Sequence, residues 1–388
     1  MQTLNRRAMC LPKEELLEVL EAAILKKQEI IEQRDREYGK DRVRIVSGTE
    51  NLLLPETFGF DMRDYYQNPE LALEIELRRR IFWLDNCEDD SNFSWVFPSV
   101  ASIYYDMTLF GVEIAYTRDG VPNMADHPFS RDMDLSLLGE FDFRTTGEMP
   151  WVIHQYETLQ KISEEQYGGK IKFTFPEFSR GPLDIYVQVR GYENFVMDYY
   201  EDPDALKEAI DFIVERRFAY QDARREYLGD QYEAGGVSIC DDWLNFPFIT
   251  EELFEDIAAP AYLKIQEREG NVTFFHTCGN VEPVASRMLE MFPALYPLEI
   301  SGWNDYEKVA APMPTDRSLR FCSTIPLILQ GSEAEQRAKL EAMARVAKTR
   351  KIELYPASFV RLNPTLEESM FKFNQFIRLA REIFNGEE

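Results

Sequence analysis

The sequence predicts an α/β chain folded as a (β/α)8 barrel, and three observations lead there. Short apolar runs alternate with amphipathic helical patterns over the C-terminal half, as expected of parallel strands joined by crossover helices. Six or more such units follow one another without a linker, which favours a closed barrel over an open sheet. The chemically capable residues Cys240-Asp241-Asp242, His276 to Cys278, Glu299, Cys322 and Ser358 all fall where an apolar run gives way to a helical pattern. In a barrel of this type chemistry gathers at those junctions.

In chain order, residues 12–35 read as a charge-rich amphipathic helix with Leu16, Leu17, Leu20 and Ile24 at helical spacing. They belong to an N-terminal helical extension, residues 1–50, that packs on the outside of the domain or on a second copy in a homodimer. Residues 51–388 then form the single barrel domain. Its helices are predicted over 68–83, 151–165, 203–227, 251–268, 281–291, 333–348 and 365–385. Asn68-Pro69, Asp202-Pro203 and Thr250-Glu251-Glu252 supply caps and first-turn prolines or acids for three of them. Strands are predicted at Ile171–Phe175, Gly236–Cys240, Val272–His276, Ala294–Glu299, Leu319–Cys322 and Ile352–Tyr355. The segment 85–150 breaks the alternation. It reads as an extended, aromatic insertion or irregular cap near the barrel mouth.

The formal charge of −26 excludes a nucleic-acid binder, because phosphate contacts need clustered Lys and Arg. No run approaches the ~18 apolar residues of a membrane span, and Met1 to Arg7 lacks the apolar core of a signal peptide. Five cysteines, an odd and scattered set, do not form a disulfide framework. The expectation is a cytoplasmic enzyme with reduced thiols. Dinucleotide, Walker and Gly-x-Ser-x-Gly motifs are absent.

The stretch Phe274-Phe275-His276-Thr277-Cys278-Gly279-Asn280 carries the most chemical information. Residues i and i+2 of an extended chain point to one side, so His276 and Cys278 can converge on one atom. Imidazole and thiolate are ligands that zinc favours. The plainer reading is a buried strand end whose cysteine packs as a small hydrophobe. Cys322, at another strand end, is the candidate third ligand, and Cys240 a further one. Three protein ligands with one open position is the catalytic zinc arrangement. Cys10 and Cys87 read as structural.

Asp241 and Asp242 are adjacent on extended chain and must point opposite ways. One is expected to face the pocket as acid, metal ligand or orienter of His276, and the other a backbone group or cation. Helix capping is the alternative for either. Glu299 contacts substrate or pairs with an arginine. Trp243, Tyr104 and Trp303 are candidates for stacking on a flat apolar ligand. Arg180 either binds a carboxylate or phenolate or tethers the barrel mouth. His127 and His154 read as loop and surface residues.

Several motifs together resemble the uroporphyrinogen decarboxylase superfamily, and within it the cobalamin-dependent methyltransferases of O-demethylase systems. They are Arg180-Gly181-Pro182-Leu183-Asp184, Arg190-Gly191-Tyr192-Glu193-Asn194-Phe195 with Asp202-Pro203, Asp241-Asp242-Trp243, His276-Thr277-Cys278-Gly279-Asn280, and Pro326 with Gly331-Ser332. The resemblance covers roughly residues 70–385. It implies a (β/α)8 barrel, a site at the strand C-termini, and zinc-assisted movement of a methyl group to or from cobalamin on a separate corrinoid protein.

Two departures narrow it. The decarboxylases resembled carry an N-terminal Met-Arg-Gln-Ala-Gly-Arg segment that grips tetrapyrrole carboxylates, where this chain reads Asn92-Phe93-Ser94-Trp95-Val96-Phe97-Pro98. Thiol-methylating relatives take a zinc cysteine from near the C-terminus, where this chain has Tyr355-Pro356-Ala357-Ser358-Phe359-Val360. The resemblance therefore implies transfer from a small-molecule methoxylated, aromatic donor to Co(I). Methylation of a thiol from methylcobalamin, tetrapyrrole decarboxylation and a non-catalytic binding protein are the alternatives.

Overall fold

A computed structural model describes residues 3–48, 55–357 and 363–387; Ser358 therefore lies outside the described residues. The chain forms two compact units, Val96–Tyr296 and a second composed of Met1–Trp95 with Pro297–Glu388.

In the unit Val96–Tyr296, strand β1 (Val96–Pro98) opens the chain, a short antiparallel pair β2 (Ile114–Ala115) and β3 (Asn123–Met124) follows, and β4 (Lys172–Thr174) pairs in parallel with β1. β5 (Val237–Cys240) and β6 (Val272–His276) form a second parallel pair with Cys240 opposite His276. Alternation sets the two faces of β5. Val237 and Ile239 are buried, whereas Ser238 and Cys240 on the other face are half-buried. A parallel bridge extends this pair to Arg180, with the Cys240 amide donating to the Ser179 carbonyl and the Gly181 amide to the Cys240 carbonyl, both at 2.7 Å. Arg180, Cys240 and His276 thus lie side by side across the strands.

Helices begin where the chain supplies a cap. Pro203–Leu228 starts on Asp202, whose carboxylate accepts from the Ala205 amide at 3.2 Å, with Pro203 in the first turn. Pro182–Arg190 starts with Pro182 directly after Gly181 and stops at Gly191, whose φ of 90° disfavours side chains.

In the other unit, β7 (Leu298–Ile300), β8 (Leu319–Cys322) and β9 (Ile352–Tyr355) form a parallel sheet in that order, and Ile45 bridges in parallel to Leu354. Leu319, Phe321, Ile352 and Leu354 are buried, while Arg320, Cys322, Glu353 and Tyr355 occupy the half-buried face. Helix Glu333–Ala347 starts on a capping box between Ser332 and Glu335. Helix Leu16–Tyr38 buries Leu16, Leu20, Ala23 and Ile24, and its Lys27 ammonium donates to the Cys87 carbonyl at 2.9 Å. Burial pushes the Cys87 thiol well up, consistent with a structural role. Among the described residues no helix is long and apolar enough to cross a membrane.

The structure departs from the sequence expectations at particular places. The irregular segment 85–150 contains β1, too short and too proline-marked to show alternation. The strand expected at Ala294–Glu299 is Leu298–Ile300, and the helix expected from residue 281 starts at Ala285. Helices Pro182–Arg190 and Tyr192–Glu201 were not anticipated. The first buries seven of its nine residues, so it carries no polar stripe for periodicity to detect.

Candidate metal centre

β6 delivers His276 at its last position, and the chain then inverts side-chain direction twice. Thr277 turns inward, where its hydroxyl donates to the Leu244 carbonyl at 2.9 Å and accepts from the Gly279 amide at 2.9 Å. His276 and Cys278 are left on the opposite side, with Nε2 and Sγ 3.3 Å apart. Gly279 is required next, because a Cβ there would lie 2.5 Å from the Asn245 Cβ and 2.6 Å from the Leu244 carbonyl oxygen.

The third partner follows β5. Asp242 Oδ1 lies 3.5 Å from His276 Nε2 and accepts the Cys278 amide at 2.8 Å. One nitrogen, one sulfur and one oxygen, all within 4.8 Å of one another, therefore converge from Asp242, His276 and Cys278. The His276 and Asp242 side chains are 34% and 45% exposed, so the cluster opens to solvent rather than being sealed. Nitrogen, sulfur and carboxylate oxygen are the donors zinc takes, and three protein ligands with an open side suit a reactive ion.

Asp241 points the other way, as extended geometry demands. It is fully buried, and its Oδ2 accepts from the Leu183 amide at 3.0 Å and the Tyr262 hydroxyl at 2.8 Å. Burial, reinforced by Asp184, pushes its carboxyl well above the ordinary range. Gly181 permits this approach, since a Cβ there would sit 2.2 Å from Asp241 Oδ2. Asp241 thus clamps the start of helix Pro182–Arg190 against β5, while Asp242 completes the donor cluster.

Arg180 lies in a charge network. Its Nε donates to Asp106 at 3.1 Å, its Nη1 to Asp184 at 2.5 Å and its Nη2 to the Ile103 carbonyl at 2.5 Å. Its guanidinium also lies 5.5 Å from the Tyr104 ring centroid, which places Tyr104 on this network. Trp243 stacks on Tyr192 at 5.0 Å between centroids and 16° between planes. Asp106 and Tyr262 were not singled out in the sequence, and Asp184 and Tyr192 stood there only as members of motifs, without a role of their own. Asp184 did leave a signal, four residues after Arg180 at the start of a helix. Asp106 is 74 residues from Arg180 and left none.

The remaining candidates belong to the other unit. Glu299 lies in β7, is 7% exposed, and pairs with Arg320 Nη1 at 3.7 Å; Arg320 also bonds Glu353 at 3.0 Å. Cys322 ends β8, half-buried, and its carbonyl accepts from the Tyr306 hydroxyl. Trp303 is 68% exposed. Of the two histidines set aside, His127 meets the Gln188 carbonyl at 2.5 Å and His154 lies beside Trp151, 5.2 Å between centroids.

A strand-terminal donor cluster on a chain of parallel strands and crossover helices defines a barrel protein with its reactive groups at the strand ends. The family model of uroporphyrinogen decarboxylase (URO-D) matches residues 55–351, and the chain belongs to this family. Its fold is accordingly the (β/α)8 barrel, with an N-terminal helical extension. A solved structure of a methyltransferase from Methanosarcina mazei is similar in fold, with a TM-score of 0.60 over 89% of this chain and 95% of that one at 18% identity. No curated protein matches the sequence.

Proposed function

We propose that the chain is a zinc-dependent, cytoplasmic methyltransferase that moves a methyl group from a methoxylated, aromatic donor to the Co(I) corrinoid of a separate protein. The observation that carries this reading is the convergence of Asp242, His276 and Cys278 at the ends of β5 and β6. Family membership and likeness in fold to the Methanosarcina mazei methyltransferase support it.

An ether oxygen departs as a high-energy anion, so a catalyst must neutralise charge as the methyl leaves. Asp242, His276 and Cys278 would hold the ion, and zinc there supplies Lewis acidity for the departing oxygen. The rest is done by the chain. The Cys278 amide orients the Asp242 carboxylate, and the Thr277 hydroxyl keeps the His276–Cys278 turn in place. Asp241 fixes the β5 end from behind, and the stacked Tyr192–Trp243 pair presents a flat aromatic surface beside Asp242.

Elemental analysis of the purified protein tests the site. His276→Ala, Cys278→Ser and Asp242→Asn are each expected to lower zinc content at least tenfold at limiting metal, on the scale of lost metal-site interactions of about 10–100-fold. Cys322→Ser measures whether the sulfur read from the sequence counts among the ligands. Incubation with a Co(I) corrinoid protein and methoxyarenes should give the methylcobalamin spectrum. Methyl transfer from methylcobalamin to a thiol, with none from aryl ethers, would replace the reading by thiol methylation. Decarboxylation of a porphyrinogen would replace it by the decarboxylase activity. A metal-free protein without turnover would leave a binding protein.

A further inference from the structure

Within the unit Val96–Tyr296 a cleft of about 330 Å³ opens beside the donor cluster. Pro98, Ala101, Ile103 and Pro176 make its walls chiefly apolar, and it reaches Cys240 and Arg180. Cys240 is the register partner of His276, on the same face of adjacent strands, so a molecule in the cleft lies next to the proposed ion. The volume suits a single small ring.

Arg180 is the one cation among the described residues lining the cleft, and three of its five N–H donors are already committed. Two carboxylates, Asp106 and Asp184, and one carbonyl take its hydrogen bonds. Both acids are deeply buried, at 3% and 1% exposure. A ligand carboxylate reaching the remaining N–H groups of Arg180 would join two buried carboxylates on a single cation, so that negative charge there would exceed positive threefold. A ligand carboxylate elsewhere in the cleft would face a cluster in which acids outnumber the cation. What the cleft offers instead is the Ser99 hydroxyl, buried and without a protein hydrogen-bond partner. A hydroxyl can donate to an ether or phenol oxygen.

We propose that this cleft is the methyl-donor site and that it selects uncharged methoxylated compounds against methoxylated carboxylates. This rests on the methyltransferase reading above and adds the charge of the donor. Burial, with Asp242 adding to it, outweighs the pull of Arg180 and pushes the Asp184 carboxyl up to about 6, in keeping with a cluster already short of positive charge.

The test compares methoxybenzene with 4-methoxybenzoate on the zinc-loaded enzyme, by calorimetric binding and by methyl transfer to a Co(I) corrinoid protein. Methoxybenzene is expected to bind at least tenfold more tightly. Ser99→Ala should weaken methoxybenzene binding several-fold, and Asp106→Asn should narrow the gap by strengthening benzoate binding. Equal or tighter binding of the benzoate overturns the proposal, as does binding of neither compound. If methyl transfer proceeds but prefers the benzoate, the charge selection fails and the methyltransferase reading stands. If binding discriminates as expected but no methylcobalamin forms from either ether, the activity fails and the cleft selectivity stands.

Discussion

Two buried clusters, one in each compact unit, combine arginine and aspartate in opposite proportions. In the unit of Met1–Trp95 and Pro297–Glu388, Asp90 receives Arg42 through two hydrogen bonds of 2.8 and 2.9 Å, with Arg34 at 3.2 Å and Arg381 at 3.5 Å. In the unit Val96–Tyr296, Arg180 is shared between Asp106 and Asp184. Burial alone would raise the Asp90 carboxyl, but the Arg42 hydrogen bonds, the Arg381 charge and the Ile45 amide bring it down to about 2. Around Asp184 the balance reverses, and burial leaves the carboxyl at about 6 despite Arg180. The same residue types make a clamp where three arginines surround one aspartate and a poised acid where one arginine serves two. The second arrangement sits beside the candidate metal centre, where charge must respond to a ligand.

The contrast is most strongly challenged by removing Asp90. Asp90→Ala leaves Arg34, Arg42 and Arg381 with Glu387, at 3.9, 3.8 and 3.5 Å, as the acid they still share, and is expected to cost roughly 3 kcal/mol, read from the urea midpoint. A change below ~1 kcal/mol would show that the clamp is not one.

A smaller effect comes from pH, and its sign differs between the two acids. Asp90 titrates below its ordinary value of 3.8, so its contribution of roughly 2 kcal/mol is present above that value and lost as pH falls through about 2. Asp184 titrates above its ordinary value, so its contribution is fully present below 3.8 and lost as pH rises through about 6. The stability difference between wild type and Asp90→Asn should therefore shrink towards pH 2. That between wild type and Asp184→Asn should turn against wild type between pH 4 and 7. Parallel pH profiles for the two pairs would break the comparison.

The smallest effect expected is that of Asp184→Asn at pH 7, within ~1 kcal/mol of wild type, because an amide relieves the excess of acid while keeping a polar partner for Arg180. A larger loss in thermal unfolding would mean that both carboxylates are needed to hold that arginine.

The parts of the fold that were legible are those with a local rule. β5, β8 and β9 alternate cleanly between buried and half-buried positions, and the helices at Pro69, Pro203, Glu333 and Leu366 announce themselves by their caps. β1 is three residues long and ends in proline, below the length at which alternation means anything. The pairing of Asp106 with Arg180 joins residues 74 apart, and no spacing encodes it.

By itself the amino-acid sequence determined the alternation of strand and helix, the junctions that hold reactive groups, and the shared side of His276 and Cys278. Each of these depends on neighbours along one backbone, where a period of two or 3.6 residues sets direction. Only the tertiary structure decided that Asp242 rather than Asp241 joins the imidazole and thiol, and that Arg180 is held by two acids before any ligand arrives. Those outcomes depend on which distant groups share a buried volume, where desolvation and the local count of charges determine what each side chain can do.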